Sequence, residues 1–162
     1  MLTGGLPLEK THIISTNQTG AQHILGESFS IEVLNRREAI APAMEAAESW
    51  LEQKQAPPKV AYFADLAIEE IVTNCIQYGY GDDLEHTILI TLAMSDEALT
   101  MQIADDGLAF DPLSAPSPDF SIDLQSRAEG GLGIHLLRNL ADRIAYERRD
   151  GTNKITLVKK LV

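Results

Sequence analysis

Residues 63–81 read FADLAIEEIVTNCIQYGYG. Together with Val60, the residues Ala64, Ala67, Ile71 and Cys75 recur at three- and four-residue intervals, which lays an apolar stripe along one side of an α-helix. The spacing predicts a helix from about Lys59 to Tyr78. Two polar rows flank the stripe. Asp65, Glu69, Thr73 and Gln77 form one; Leu66, Glu70, Asn74 and Tyr78 form the other, directly beside the stripe. Residues four apart face the same way, so Glu70 and Asn74 project together from the rim of the core. An amide oxygen there can ligate Mg²⁺, which prefers oxygen donors. A carboxylate one turn away can accept the proton of an attacking hydroxyl. Glu69, on the other row, is expected in solvent. Taken alone, the same residues also suit an ordinary amphipathic helix edge.

On either side of this helix the periodicity changes. SFSIEVL alternates, with Phe29, Ile31 and Val33 on one face, and predicts a strand. Asn35 and Glu38 have capping-box spacing, and Pro42 suits a first helical turn, so a helix opens at one or the other. Met44, Ala47 and Leu51 give it an apolar face, and Pro57 and Pro58 end it. After the central helix, TILITLAM and ALTMQIAD are strands joined by a short SDE turn. RIAYER and NKITLVKKL flank a DGTN turn and predict a terminal hairpin. From Gly107 to Glu129 there is no periodicity, and Pro112, Pro116 and Pro118 punctuate the stretch. Residues 1–27 are polar and aperiodic, an N-terminal arm ahead of a domain at 28–162. The order β, α, α, β, β, loop, α, β, β implies an α+β class: a two-layer sandwich whose mixed, mostly antiparallel sheet is covered on one face by helices.

Two glycine segments complete the pattern. In QIADDGLAFDP, Asp105 continues the alternation of Leu99, Met101 and Ile103, so its carboxylate ends an apolar row and needs a donor. The exocyclic amine of adenine is such a donor, and Gly107 would let the backbone approach the base. A plain Asp-Gly turn ending a strand is the competing reading. In EGGLGIHLL, Gly130, Gly131 and Gly133 precede an apolar helix, where free amides favour anions. The spacing is not that of a P-loop, and no Gly-Lys-Ser or Gly-Lys-Thr occurs.

Glu-x-x-x-Asn on a helix, Asp-x-Gly after a strand and Gly-Gly-Leu-Gly at a helix start, in that order, resemble the GHKL ATPase superfamily. LAIEEIVTNCIQYGY, DDGLAFDP and GGLGIHLLRNLADRIAYERRDGTNKITLVKK are similar to its anti-sigma-factor serine/threonine kinase branch, over roughly residues 28–161. The resemblance implies the Bergerat, or histidine-kinase-like, ATPase fold and the cofactors ATP and Mg²⁺. It implies Glu70 as general base, Asn74 as Mg²⁺ ligand, and Asp105 with Gly107 as readers of adenine. Gly131 and Gly133 would hold phosphates beneath a lid at 107–129, and Thr156 would lie near the adenine. It further implies phosphorylation of a STAS-domain anti-anti-sigma factor, sequestration of a sigma factor, and a homodimer. Ala109 departs from the pattern where a further glycine is common, and Tyr78 where many relatives carry histidine.

Bulk composition fits this picture. The 162 residues suit one domain, and 44% are hydrophobic. One cysteine, Cys75, allows no disulfide framework, and no run reaches the roughly 18 apolar residues of a membrane span. The start lacks the marks of a signal peptide, and a cytoplasmic location is expected. A net charge of −11 repels phosphate backbones and anionic lipid, which argues against direct nucleic-acid or membrane binding, and would steer in a basic partner. Two function classes stand beside each other: a protein serine/threonine kinase, and a nucleotide-gated binding module without useful catalysis. Glu70 is the residue that separates them. A histidine-kinase catalytic domain and gyrase-like or MutL-like ATPases fit less well, for want of an acceptor hairpin or a second domain.

Overall fold

The structure, a computed structural model, describes residues 13–14, 27–114 and 132–162. Strands β1 (Ile13–Ile14), β2 (Glu27–Leu34), β3 (Thr87–Met94), β4 (Ala98–Asp105), β5 (Arg143–Arg149) and β6 (Thr152–Lys160) form one sheet in the order β1-β2-β3-β4-β6-β5. Helices α1 (Ile40–Gln53), α2 (Pro58–Tyr78) and α3 (Leu132–Leu140) make the second layer. The expected α+β sandwich is therefore the observed one. Every described pairing is antiparallel, so the mixed character expected of the sheet does not occur among these strands. The arm contributes β1, a two-residue strand laid against β2. Its brevity leaves no period to detect.

Strict alternation puts Ile31, Val33, Ile88, Ile90, Leu92, Leu99, Met101, Ile103, Ile155 and Leu157 on the face that meets the helices, each essentially without solvent. The far ends of β3 and β4 are tied by Ser95, whose hydroxyl donates to the Ala98 carbonyl at 3.2 Å. The β5–β6 hairpin turns on Asp150 and Gly151 alone, with φ of 51° and 81°. That is the left-handed pair a two-residue turn between right-twisted strands requires. Thr152, expected within the turn, already belongs to β6, and Asn153, expected where turn and strand meet, is its second residue.

Asn35 does not cap a helix. A 3₁₀ turn at Arg37–Ala39 leads into α1, and Pro42 lies in the first turn of α1. The Asn35 side chain instead accepts from the His86 amide at 2.9 Å and donates to the Leu84 carbonyl at 3.0 Å. It thus pins the segment between α2 and β3. Pro58 opens α2 at its first position, where a missing N–H costs nothing.

The α2 stripe is wider than the sequence spacing suggests. Phe63, Ile68 and Val72 are buried along with Val60, Ala64, Ala67 and Ile71, because α2 packs against α1, α3 and the sheet. Phe63 is 1% exposed and the adjacent Tyr62 is 60% exposed. Phe63→Ala should accordingly destabilise the fold by about 3–5 kcal/mol, and Tyr62→Ala by no more than about 0.5 kcal/mol. Urea denaturation of both variants measures this. Equal costs would mean that α2 is rotated from the orientation described.

Candidate functional site

The polar residues of α2 differ in exposure. Glu69 is exposed, as expected from its row, whereas Glu70 and Asn74 are half-buried at the seam between α2, the sheet and α3. Asn74 faces an open pocket that it shares with Cys75, Asp105 and Phe110, walled by Ile71, Ile103, Ile134 and Ile155. Among the described residues its amide has no hydrogen-bond partner, which leaves the oxygen available as a ligand. Glu70 lies directly on Gly133 in the first turn of α3. A Cβ at Gly133 would stand 1.8 Å from the Glu70 Cδ, so only glycine allows the contact. Burial, helped by the neighbouring Glu69 charge, raises the Glu70 carboxyl above its ordinary value.

Asp105 closes the inner end of the pocket. It is 8% exposed and continues the apolar row of β4, as the alternation requires. Its Oδ1 accepts from the Gly107 amide at 2.8 Å and from Asn153 Nδ2 at 2.9 Å. Among the described residues its Oδ2 has only the Cys75 thiol, at 3.5 Å. Burial and the Asp105 carboxylate together push that thiol well above its usual pKa, so it stays protonated as a weak donor. An apolar pocket with one largely unspent carboxylate oxygen at its end suits a flat ligand that carries an N–H group.

Gly107 serves a second purpose besides its turn. A Cβ there would lie 2.3 Å from the Gly79 carbonyl oxygen, which accepts from the Leu108 amide at 2.6 Å. The turn after β4 is thereby fixed to the end of α2, so Glu70 and Asn74 on one side and Asp105 on the other are positioned together.

Not every expected residue joins this group. Thr156 is corrected. It pairs with Gln102 and Ala145 and shares strand parity with Lys154 and Val158, on the sheet face away from the helices. The residue beside Asp105 is Asn153, three positions earlier and on the opposite face. The Asp-Gly pair carries the signal for it: a two-residue turn at 150–151 starts the strand at Thr152 and gives Asn153 the inward parity of Ile155. Gly131 and residues 115–129 of the expected lid at 107–129 lie outside the described residues. Arg138 donates to the Leu113 carbonyl. Tyr146 and Arg148, which sequence reasoning did not single out, meet at Asn153.

The segment after α2 is latched over the same turn. His86 reaches Asp82 through Nε2 at 2.9 Å and Asp106 through Nδ1 at 3.1 Å, and Tyr80 stacks on its ring at 4.3 Å. The hydrogen bond to Asp82, and less strongly that to Asp106, raises the imidazole pKa, while His86 lowers that of Asp82.

Comparison with known proteins gives concordant results. Residues 33–159 match the family model described as the histidine kinase-like ATPase domain. The chain is 30% identical over 99 residues to the serine/threonine-protein kinase BtrW of Bordetella bronchiseptica, covering 61% of this chain and 70% of that one. It is 29% identical over 92 residues to the serine-protein kinase RsbW of Bacillus subtilis, covering 53% of this chain and 56% of that one. A crystal structure of the RsbU and RsbW domains of a Mycobacterium tuberculosis protein superposes with a TM-score of 0.61 at 18% identity, covering 83% of this chain and 32% of that one. This chain therefore spans little more than half the length of the RsbW protein it matches. No helix among the described residues is long and apolar enough to cross a membrane.

The latch makes a pH prediction. A raised imidazole pKa stabilises the fold fully below the ordinary value of about 6.5, and the gain is lost as pH rises through the raised folded value. The lowered Asp82 carboxyl keeps its charge into mild acid, so the lower edge of the window lies beneath about pH 3.9. The melting temperature of the natural chain minus that of His86→Gln should be largest near pH 5–6 and should shrink toward pH 8. A difference that grows with pH would show that the imidazole is not held protonated there.

Proposed function

The chain belongs to the histidine kinase-like ATPase family, and on that premise we propose that it is a Mg²⁺-ATP-dependent protein serine/threonine kinase. The observation that carries the reading is the pairing of two sites in one seam. Asp105 offers one carboxylate oxygen at the end of an apolar pocket that Asn74 also lines, and Glu70 stands one helical turn before Asn74 on α2, against Gly133 of α3. In this reading the adenine amine donates to Asp105 Oδ2, and the apolar walls hold the base. Asn74 ligates the metal through its amide oxygen, as the free amide allows. Bound Mg²⁺-ATP supplies the transferable phosphoryl group and neutralises its charge. Glu70 accepts the proton of the substrate hydroxyl as that oxygen attacks, and a carboxyl of raised pKa is a stronger base than an ordinary one. Gly131 and Gly133 would hold the phosphates.

For the partners we propose a STAS-domain anti-anti-sigma factor as phosphate acceptor and a sigma factor as the protein sequestered, with the kinase acting as a cytoplasmic homodimer. Support comes from the similarity to RsbW and from the net charge of −11, which steers in basic surfaces. The competing reading, nucleotide-gated binding without transfer, is decided by the same experiment.

Saturating Mg²⁺-ATP should raise the melting temperature by about 5–10 °C, and Asp105→Asn should shrink that rise. Glu70→Gln should keep the rise yet lower phosphate transfer to a co-purified STAS protein by about 10²–10⁴-fold. Transfer should fall on acidification from above the ordinary glutamate range. Glu69→Gln should move that acid limb to lower pH, because it removes a like charge beside Glu70. A melt unmoved by millimolar Mg²⁺-ATP sinks the nucleotide reading. ATP binding with no transfer in the natural chain leaves the binding module.

A further inference from the structure

We infer that Asn153, held by Tyr146 and Arg148, is the positioning residue that aims Asp105 at the ligand and so sets a preference for purines that carry an exocyclic amine. The inference rests on the nucleotide reading above and adds its specificity device.

Asn153 is 6% exposed, and its amide is fully committed. Nδ2 donates to Asp105 Oδ1 and to the Leu108 carbonyl, both at 2.9 Å. Oδ1 accepts from the Tyr146 hydroxyl at 2.8 Å and from Arg148 Nη1 at 2.6 Å. An amide has two N–H groups and two oxygen lone pairs, and all four are used. Their arrangement has one polarity. A guanidinium can only donate, so the atom facing Arg148 must be the amide oxygen. The nitrogen then faces Asp105, where a carboxylate can only accept. Arg148 also donates to the Gly107 carbonyl at 3.0 Å, which fastens the edge strand β5 to the same turn.

The consequence falls on Asp105. Two donors on Oδ1 fix the plane of the carboxylate and leave Oδ2 as its acceptor toward the pocket. A ligand N–H placed there gains a charge-assisted hydrogen bond, and a ligand carbonyl placed there meets only lone pairs. Without Asn153, Oδ1 keeps the Gly107 amide alone. The carboxylate can then rotate and the Leu108 carbonyl is released. The apolar walls still hold a base, but they do not distinguish an amine from a carbonyl.

Calorimetric titration of the full chain with Mg²⁺-ADP and with Mg²⁺-IDP, which has a carbonyl in place of the amine, tests this. The natural chain should prefer ADP by about 10- to 100-fold, the worth of one hydrogen bond to a charged group. Asn153→Leu should bring the ratio within about threefold of one. Tyr146→Phe, which keeps the ring and the fold, should lower it by about threefold or more. A purely structural role would weaken both nucleotides alike and leave the ratio intact. That result in either variant overturns the inference, and if Asn153→Leu does not fold, Tyr146→Phe decides alone. A natural chain that binds neither nucleotide overturns the nucleotide reading itself, a different outcome from binding and discrimination that the variants retain.

Discussion

The turn after β4 meets the end of α2 backbone to backbone, and the rest of the site depends on that contact. The Leu108 amide donates to the Gly79 carbonyl at 2.6 Å, and no side chain fits at Gly107 to part them. Helix and sheet layers usually stand about 10 Å apart, separated by the side chains of the core. Here the layers converge at one corner, so a helix rim and a strand end face a common space. Glu70 and Asn74 come from the rim, and Asp105 comes from the strand. The His86 bridge between Asp82 and Asp106 braces the same corner from outside.

Packing elsewhere serves this corner. Because α2 is packed by α1, α3 and the sheet, its apolar side is broad, and Glu70 and Asn74 lie at the edge of that side. That edge ends at the seam with α3. Gly133 there brings the α3 backbone onto Glu70 and leaves the carboxylate half-buried. The raised pKa of Glu70 is thus a result of helix packing, with the exposed Glu69 adding to it through space.

Much of this is legible in the residues because it is periodic. Alternation locates β2, β3, β4 and β6, and by itself it places Asp105 on the inward face. The four-residue rows separate Glu70 from Glu69. What is not legible is what tertiary contact decides. Asn35 has cap spacing, yet the loop after α2 takes its side chain. Phe63, Ile68 and Val72 are core because α2 is packed by α1 and α3 as well as by the sheet. Asn153 lies within a turn signal that ends two residues earlier than its polar composition suggests. The earlier end sets Asn153 on the inner face of β6 opposite Asp105, while Thr156, which the resemblance places near the adenine, falls on the other face.

The polar cluster at the end of β4 explains why a chain of charge −11 keeps a carboxylate 8% exposed in its core. Such a group is costly without donors, and three come from its own surroundings: the Gly107 amide, the Asn153 amide and the Cys75 thiol. They are unevenly placed. Two strong donors meet Oδ1, and among the described residues Oδ2 has only a sulfur at 3.5 Å. An under-satisfied buried acceptor costs about 1–3 kcal/mol. Replacing Cys75 with a stronger donor such as serine would offset that cost in the fold, but it would also compete with any ligand for Oδ2. A weak thiol donor leaves the oxygen partly unsatisfied, so on the proposed reading the missing stabilisation is returned when the base binds. Stability surrendered at one atom then becomes affinity at that same atom, the trade expected where a site and a core share a residue.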